Sequence, residues 1–110
     1  MINLEELKIL IVERLKPLNP DNVILFGSYA NGTANEDSDI DLYVVTNDDF
    51  MPQNFREKNN LYLKVSKLLR DLRKIVAIDL IVHSKKMSEL FVENNSSFYR
   101  NDIRNGIVLL

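Results

Sequence analysis

The sequence predicts an α/β protein with one hydrophobic core. Short apolar runs at 23–26, 39–46 and 76–83 read as strands, and stretches with apolar residues three and four apart read as helices. The two kinds of segment alternate along 110 residues, a length that suits one domain, 1–110, and is too short for two ordinary cores. No repeat, low-complexity tract or linker interrupts them.

Leu4, Leu7, Ile11, Leu15 and Leu18 form the apolar stripe of a first helix, with Asn3 and Glu6 placed as an N-terminal cap. Pro17 and Asn19-Pro20-Asp21-Asn22 end it. Val23-Ile24-Leu25-Phe26, bounded by Gly27, is a buried strand. The small, polar stretch from Gly27 to Asp37 leaves room for a helical turn, and a second strand runs from Asp39 to Thr46. After the loop at Asn47-Asp48-Asp49 and Pro52, a long helix is expected with Phe55, Leu61, Val65, Leu68, Leu72 and Ile75 on its inner face. The third strand, Val76 to His83, is apolar except at Asp79, which predicts burial on both faces. Two short helices follow, Lys85 to Glu93 and Ser97 to Asn105, the second with Ser97 as cap and Gly106 as stop. Ile107-Val108-Leu109-Leu110 fits either an added strand or a cover for a partner surface. The expected order is α-β-α-β-α-β-α.

Composition excludes several classes. With 45% hydrophobic and 27% charged residues the chain carries enough apolar material to fold. The absence of cysteine removes disulfides and thiolate metal sites. Acids at Glu5 and Glu6 stand where a signal peptide places basic residues, and no apolar run reaches the roughly 18 residues of a membrane span, so the cytoplasm is the expected location. A net charge of −2 offers nucleic acid no general attraction.

The chemistry concentrates in acidic side chains. Asp39 and Asp41 are two apart at the start of a strand, so both point to one face with Cα atoms roughly 7 Å apart. Unpaired, they repel each other, and their position beside apolar strand residues calls for a compensating cation. Magnesium fits, because it takes carboxylate oxygens and completes its shell with phosphate and water. Asp79 supplies a third carboxylate from the next strand. The bland alternative is a solvated turn entering an edge strand. Gly27-Ser28 weighs against it: a glycine at the end of a buried strand lets backbone N–H groups and a hydroxyl approach a phosphate.

Two other motifs fail on the same residues. Gly27-Ser28-Tyr29-Ala30-Asn31-Gly32 opens like a P-loop, but Thr33 and Ala34 replace the required lysine and hydroxyl residue. Asp37, Asp39 and Asp41 open like an EF-hand, yet Leu42 stands at the glycine position and Asp48 at the closing glutamate.

Gly27-Ser28, ten intervening residues and Asp39-Ile40-Asp41 together resemble the signature of the polymerase-β-like nucleotidyltransferase superfamily. Within it the chain is similar to the minimal nucleotidyltransferases over essentially its whole length, including the ending from Ser97-Phe98-Tyr99-Arg100 to Gly106-Ile107. The resemblance implies a single-domain nucleotidyltransferase fold with a small mixed sheet flanked by helices. It makes Asp39, Asp41 and Asp79 the ligands of two Mg²⁺ ions, Asp79 also the base, and Gly27 and Ser28 the contacts to the triphosphate. It implies transfer of AMP from ATP to an acceptor. A chain of this size carries no acceptor-holding domain, and the minimal enzymes resemble one half of toxin–antitoxin pairs with helical HEPN proteins. A HEPN-domain partner modified by an antitoxin transferase is therefore implied, and homo-oligomerisation is left open. The chain departs from the family at Asn31, where many relatives carry arginine. That departure supports an alternative, a catalytically silent module neutralising its partner by contact.

The remaining candidates read as structural. His83, the only histidine, could bind metal or carry protons but more often such a residue is packed or solvated. Tyr29 and Tyr43 are expected to pack rather than stack on a base. Lys64, Lys67, Arg70, Arg73 and Lys74, interrupted by Asp71, read as a solvated helix face.

Overall fold

The computed structural model describes residues 3–35 and 37–110. Met1, Ile2 and Glu36 lie outside them, and with Met1 and Ile2 part of the N-terminal stretch read above for targeting.

Asn3 caps the first helix, α1 (Leu4–Leu15), by accepting from the backbone N–H groups of Glu5 and Glu6, which would otherwise be unpaired. A 3₁₀ turn containing Pro17 follows and closes on Asn19 in the left-handed region (φ 52°). The chain then enters β1 (Asn22–Phe26), turns through the short α2 (Ser28–Asn31) and returns as β2 (Ile40–Val45), antiparallel to β1. Helix α3 (Phe55–Ser66) crosses over to β3 (Ile78–His83), which runs parallel to β2. After α4 (Lys85–Asn94) and a π-helical turn (Tyr99–Ile103), the two-residue strand β4 (Ile107–Val108) pairs antiparallel with β1. The sheet order is β3-β2-β1-β4.

Strand alternation divides the core in two. Val23, Leu25, Ile40, Leu42, Val44 and Val82 point to one face, where Leu7, Ile11 and Leu15 of α1 and Leu61, Val65, Leu69 and Leu72 of the α3 region cover them. Each such buried side chain contributes about 1.5–3 kcal/mol by leaving water. On the opposite face Ile24, Phe26, Tyr43 and Val45 pack against Phe91, Tyr99 and Ile103. Asp41 and Asp79 belong to this second face by the same alternation.

Four expectations need correction. The third strand is not buried on both faces: it lies at the sheet edge, and of its residues only Val82 is buried. The long helix breaks after Ser66 into 3₁₀ turns at Lys67–Leu69 and Leu72–Lys74. That break rotates the apolar stripe, so Ile75 is 60% exposed, and Phe55 at the other end is 79% exposed, rather than both facing the core. The cap of the last helical segment is Ser96, whose oxygen accepts from the Tyr99 N–H, not Ser97. Of the terminal apolar residues Ile107 and Val108 form a strand, drawn in where Gly106 passes β1: a Cβ there would lie 2.7 Å from the Leu25 carbonyl oxygen and 2.5 Å from Ile24 Cγ2. Among the described residues no helix is long and apolar enough to cross a membrane.

His83 has a structural role. Its Nδ1 lies 2.8 Å from the Tyr43 hydroxyl, which donates to Ser88 Oγ at 3.2 Å, and its ring meets Tyr43 and Phe91 edge-on. Burial, helped by the charge of Lys58, lowers its pKa to about 4, while burial pushes the Tyr43 phenol up to about 12. The folded protein thus holds His83 neutral where the unfolded chain, titrating near 6.5, already takes up a proton. Stability should therefore fall as pH drops from about 6.5 to about 4. The expected loss is on the order of 1–2 kcal/mol, below the full linkage value because the ring is partly exposed. Urea unfolding of the native protein and His83→Gln across this window checks it: the difference between their stabilities should change with pH, and a constant difference would refute the assignment.

Candidate active site

The carboxylates meet where three strand ends come together. In the register of the sheet Phe26 of β1 faces Asp41 of β2, and Asp41 faces Asp79 of β3. Because β2 and β3 are parallel and in register, both aspartates project to the same face. Asp39 lies two residues before Asp41, just ahead of the strand, where the Ile40 N–H donates to the Ala77 carbonyl at 2.9 Å. Asp79 is exposed on its edge strand, Asp39 is exposed, and Asp41 is half-buried between them.

Gly27 makes room for the central member. Its backbone, at φ 75° and ψ −154°, occupies a region essentially restricted to glycine. A Cβ built there would sit 2.2 Å from Asp41 Oδ2. The absence of a side chain therefore permits both the turn and the approach of the carboxylate. Ser28 opens α2, whose first turn closes when the Ala30 and Asn31 N–H groups donate to the Gly27 carbonyl, each at 3.1 Å. The structure thus places the Gly27-Ser28 bend beside Asp41. Asn31 Oδ1 accepts from the Thr33 hydroxyl (2.6 Å) and N–H (3.2 Å), so its amide oxygen braces the following turn.

The electrostatics single out Asp41. Its pKa is raised, first by burial and then by the negative charges of Asp79, Asp39 and Asp102. Asp102 escaped the sequence reading. It sits on the π-helical turn whose Ile103 is buried against β1 and β2, so the same packing that builds the second core face brings a fourth carboxylate toward Asp41. The only sequence signal was its place beside an inward-facing isoleucine, and nothing in the chain showed which end of the sheet that turn covers.

This donor set consists of hard oxygens. The chain has no cysteine, and His83 is engaged with Tyr43. Chemically it fits a hard divalent cation. Among the described residues no three histidine, aspartate or glutamate side chains already close into a metal cage, so the carboxylates converge on one region without enclosing an ion.

Ionised Asp41 opposes folding when no cation is present. Because its folded pKa lies above the ordinary 3.8, this cost is absent at low pH and grows as pH rises through the folded value. Asp41→Asn should therefore raise the melting temperature of the metal-free protein at pH 7, by roughly 2–5 °C. The gain should vanish near pH 4. Calorimetry at the two pH values checks this, and a variant less stable at pH 7 would contradict it.

The sequence matches the nucleotidyltransferase domain family over residues 7–103. It is 41% identical over 88 residues to a protein of Methanocaldococcus jannaschii named "Putative protein adenylyltransferase MJ0604", an alignment covering 79% of this chain and 75% of that protein. Among solved structures it is similar in fold to a chain in the "Crystal structure of the toxin-antitoxin with AMP-PNP". The TM-score is 0.51 at 20% identity, over 84% of this chain and 86% of that one. The matched family span contains Gly27, Ser28, Asp39, Asp41, Asp79 and Asp102. The chain therefore belongs to the nucleotidyltransferase domain family and is a nucleotidyltransferase.

Proposed function

We propose that the protein is a Mg²⁺-dependent adenylyltransferase that moves AMP from ATP to a hydroxyl of a partner protein, acting as the antitoxin of a toxin–antitoxin pair. One observation carries the proposal: Asp79 stands in register beside Asp41 on a single sheet face, with Asp39 two residues upstream and the Gly27-Ser28 bend in contact. The named activity of the archaeal relative and the AMP-PNP in the toxin–antitoxin structure support the choice of nucleotide and context.

Asp39, Asp41 and Asp79 would hold two Mg²⁺ ions, which when bound offset the charge of the triphosphate and of the leaving pyrophosphate. Gly27 and Ser28 present backbone N–H groups and a hydroxyl to the phosphates. The acceptor oxygen forms a bond to the α-phosphorus, the bond to pyrophosphate breaks, and a carboxylate oxygen of Asp79 takes the hydroxyl proton. Asp79 suits that part because it is exposed at the sheet edge, where a hydroxyl on a second macromolecule can reach it. We assign the acceptor to a helical HEPN-type protein and the reaction to the cytoplasm. Both follow from resemblance to the minimal enzymes.

A second reading, a silent module acting by contact, is favoured by Asn31. Its side chain braces Thr33 and brings no positive charge to the phosphates. Calorimetric titration separates the two readings, since a silent module would not bind ATP with Mg²⁺ yet would still protect against its partner.

Incubation of the protein and its partner with labelled ATP and Mg²⁺ should label the partner. Asp39→Asn with Asp41→Asn should lower the rate by at least about 10³-fold, and Asp79→Asn by about 10²-fold or more. Label transfer unaffected by these changes, or by chelation of the metal, would refute the proposal.

A further inference from the structure

On the other side of the β3 edge from Asp79, the end of α3 and the turns after it form a concavity of about 330 Å³ lined by Leu63, Ser66, Lys67, Arg70 and Arg73. The three cations recur every third residue, and Asp71, which interrupts them in the sequence, is directed elsewhere. Arg14 of α1 takes Asp71 in a two-pronged contact, Nε to Oδ2 at 3.0 Å and Nη2 to Oδ2 at 2.8 Å. This holds the carboxylate against α1 and lowers its pKa. Lys64, one turn earlier, is taken by Asp48. Among the described residues, Lys67, Arg70 and Arg73 have no carboxylate partner.

Arg73 is nevertheless fixed. Nη1 donates to Ser66 Oγ at 2.7 Å, and Nη2 donates to the Tyr62 hydroxyl at 3.1 Å and the Ile78 carbonyl at 3.4 Å. A half-buried guanidinium held by three neutral acceptors has no counter-ion among the described residues, which leaves a place for an anion. Ser66 and Tyr62 accept from Arg73 and retain their own hydroxyl protons for donation. Three of the five N–H donors of Arg73 are used, both of those on Nη2 among them, so it offers no free planar fork to a carboxylate. The Ser66 and Tyr62 hydroxyls stand beside the fixed charge, and Lys67 and Arg70 line the same concavity, a set of several donors that suits a tetrahedral anion with several oxygens.

We propose that this groove is a phosphate-binding site, distinct from the carboxylate centre, that takes a phosphoryl group either of a small phosphorylated ligand or of a nucleic acid strand. It requires no divalent metal. The site does not depend on the transferase reading, because its residues lie outside the acidic face.

The test is an amide NMR titration of ¹⁵N-labelled protein in low salt with EDTA. The probes are pyrophosphate, a short single-stranded RNA and hexaglutamate, added to the native chain, to Lys67→Glu with Arg70→Glu, and to Asp39→Asn with Asp41→Asn. The expected result is saturable shifts over residues 63–79 with a phosphate probe, weakened at least about 10-fold by the charge reversal and unchanged by the aspartate changes. Tighter binding of pyrophosphate identifies a small ligand, and tighter binding of RNA identifies a strand. Absence of saturable shifts with either phosphate probe, indifference to the charge reversal, or equal affinity for hexaglutamate would overturn the proposal. Lys67 and Arg70 are exposed, so their reversal leaves the fold intact for the comparison.

Discussion

The site depends on a repulsion that the fold sustains. Asp41 is partly removed from water beside Asp79, Asp39 and Asp102, and its raised pKa records the cost. The backbone cannot move it elsewhere, because Ile40, Leu42 and Val44 on the same strand are fully buried against α1 and α3. With those residues pointing to one core face, alternation obliges Asp41 to point to the other. A slip of one residue between β2 and β3 would turn Asp79 away and expose Ile78, Leu80 and Val82, so the core that stabilises the sheet also fixes the carboxylate register. Electrostatic strain at the centre and apolar burial along the flanks are thus two consequences of one alignment.

Topology sets how open the site is. The parallel β2–β3 pair requires a crossover, which α3 supplies on one face, and β3 is left at the sheet edge. Its hydrophobic side chains are covered, Val82 fully and Ile78 and Leu80 in part by the main core, and Ile81 in part by the second cluster. Asp79, which points to the other face from Ile78 and Leu80, remains exposed. The second face is closed at the far end by Phe91, Tyr99 and Ile103, and Phe98 extends the aromatic cluster to Phe26, one residue before the Gly27 bend. The acidic residues therefore occupy the open end of an otherwise packed face.

Much of this was legible in the chain. Period-two spacing put Asp39 and Asp41 on one side, the strand before Gly27 and the short helical turn appear near their expected boundaries, and the crossover helix starts where expected but ends at Ser66. What failed has a common cause. A run such as Val76 to His83 looks identical whether neighbours cover both sides or one, because hydrophobicity records composition and not sheet order. The same blindness hid Asp102, whose significance lies in where the π-helical turn lands, and extended the apolar stripe of α3 through a 3₁₀ break no residue type announces. Gly27 was read as a bend for phosphate; that its missing Cβ also admits Asp41 Oδ2 required the third dimension.

Charge was the least legible property, since a sum over the sequence discards position. A net charge of −2 is compatible with a uniform surface or with a segregated one, and the molecule is segregated. Four carboxylates gather on the face of Asp41, while Lys67, Arg70 and Arg73 line the far side of the β3 edge. The separation rests on single contacts: Arg14 takes Asp71 out of the basic run, and Asp48 takes Lys64. Interspersed charges would have screened one another at the surface. Segregated, each patch keeps its own field, one suited to cations and the other to anions, and the Ile78 carbonyl that anchors Arg73 belongs to the residue immediately before Asp79. The strand that presents the third carboxylate to the acidic face thereby also fixes the cation of the opposite groove, so displacement of β3 would disturb both.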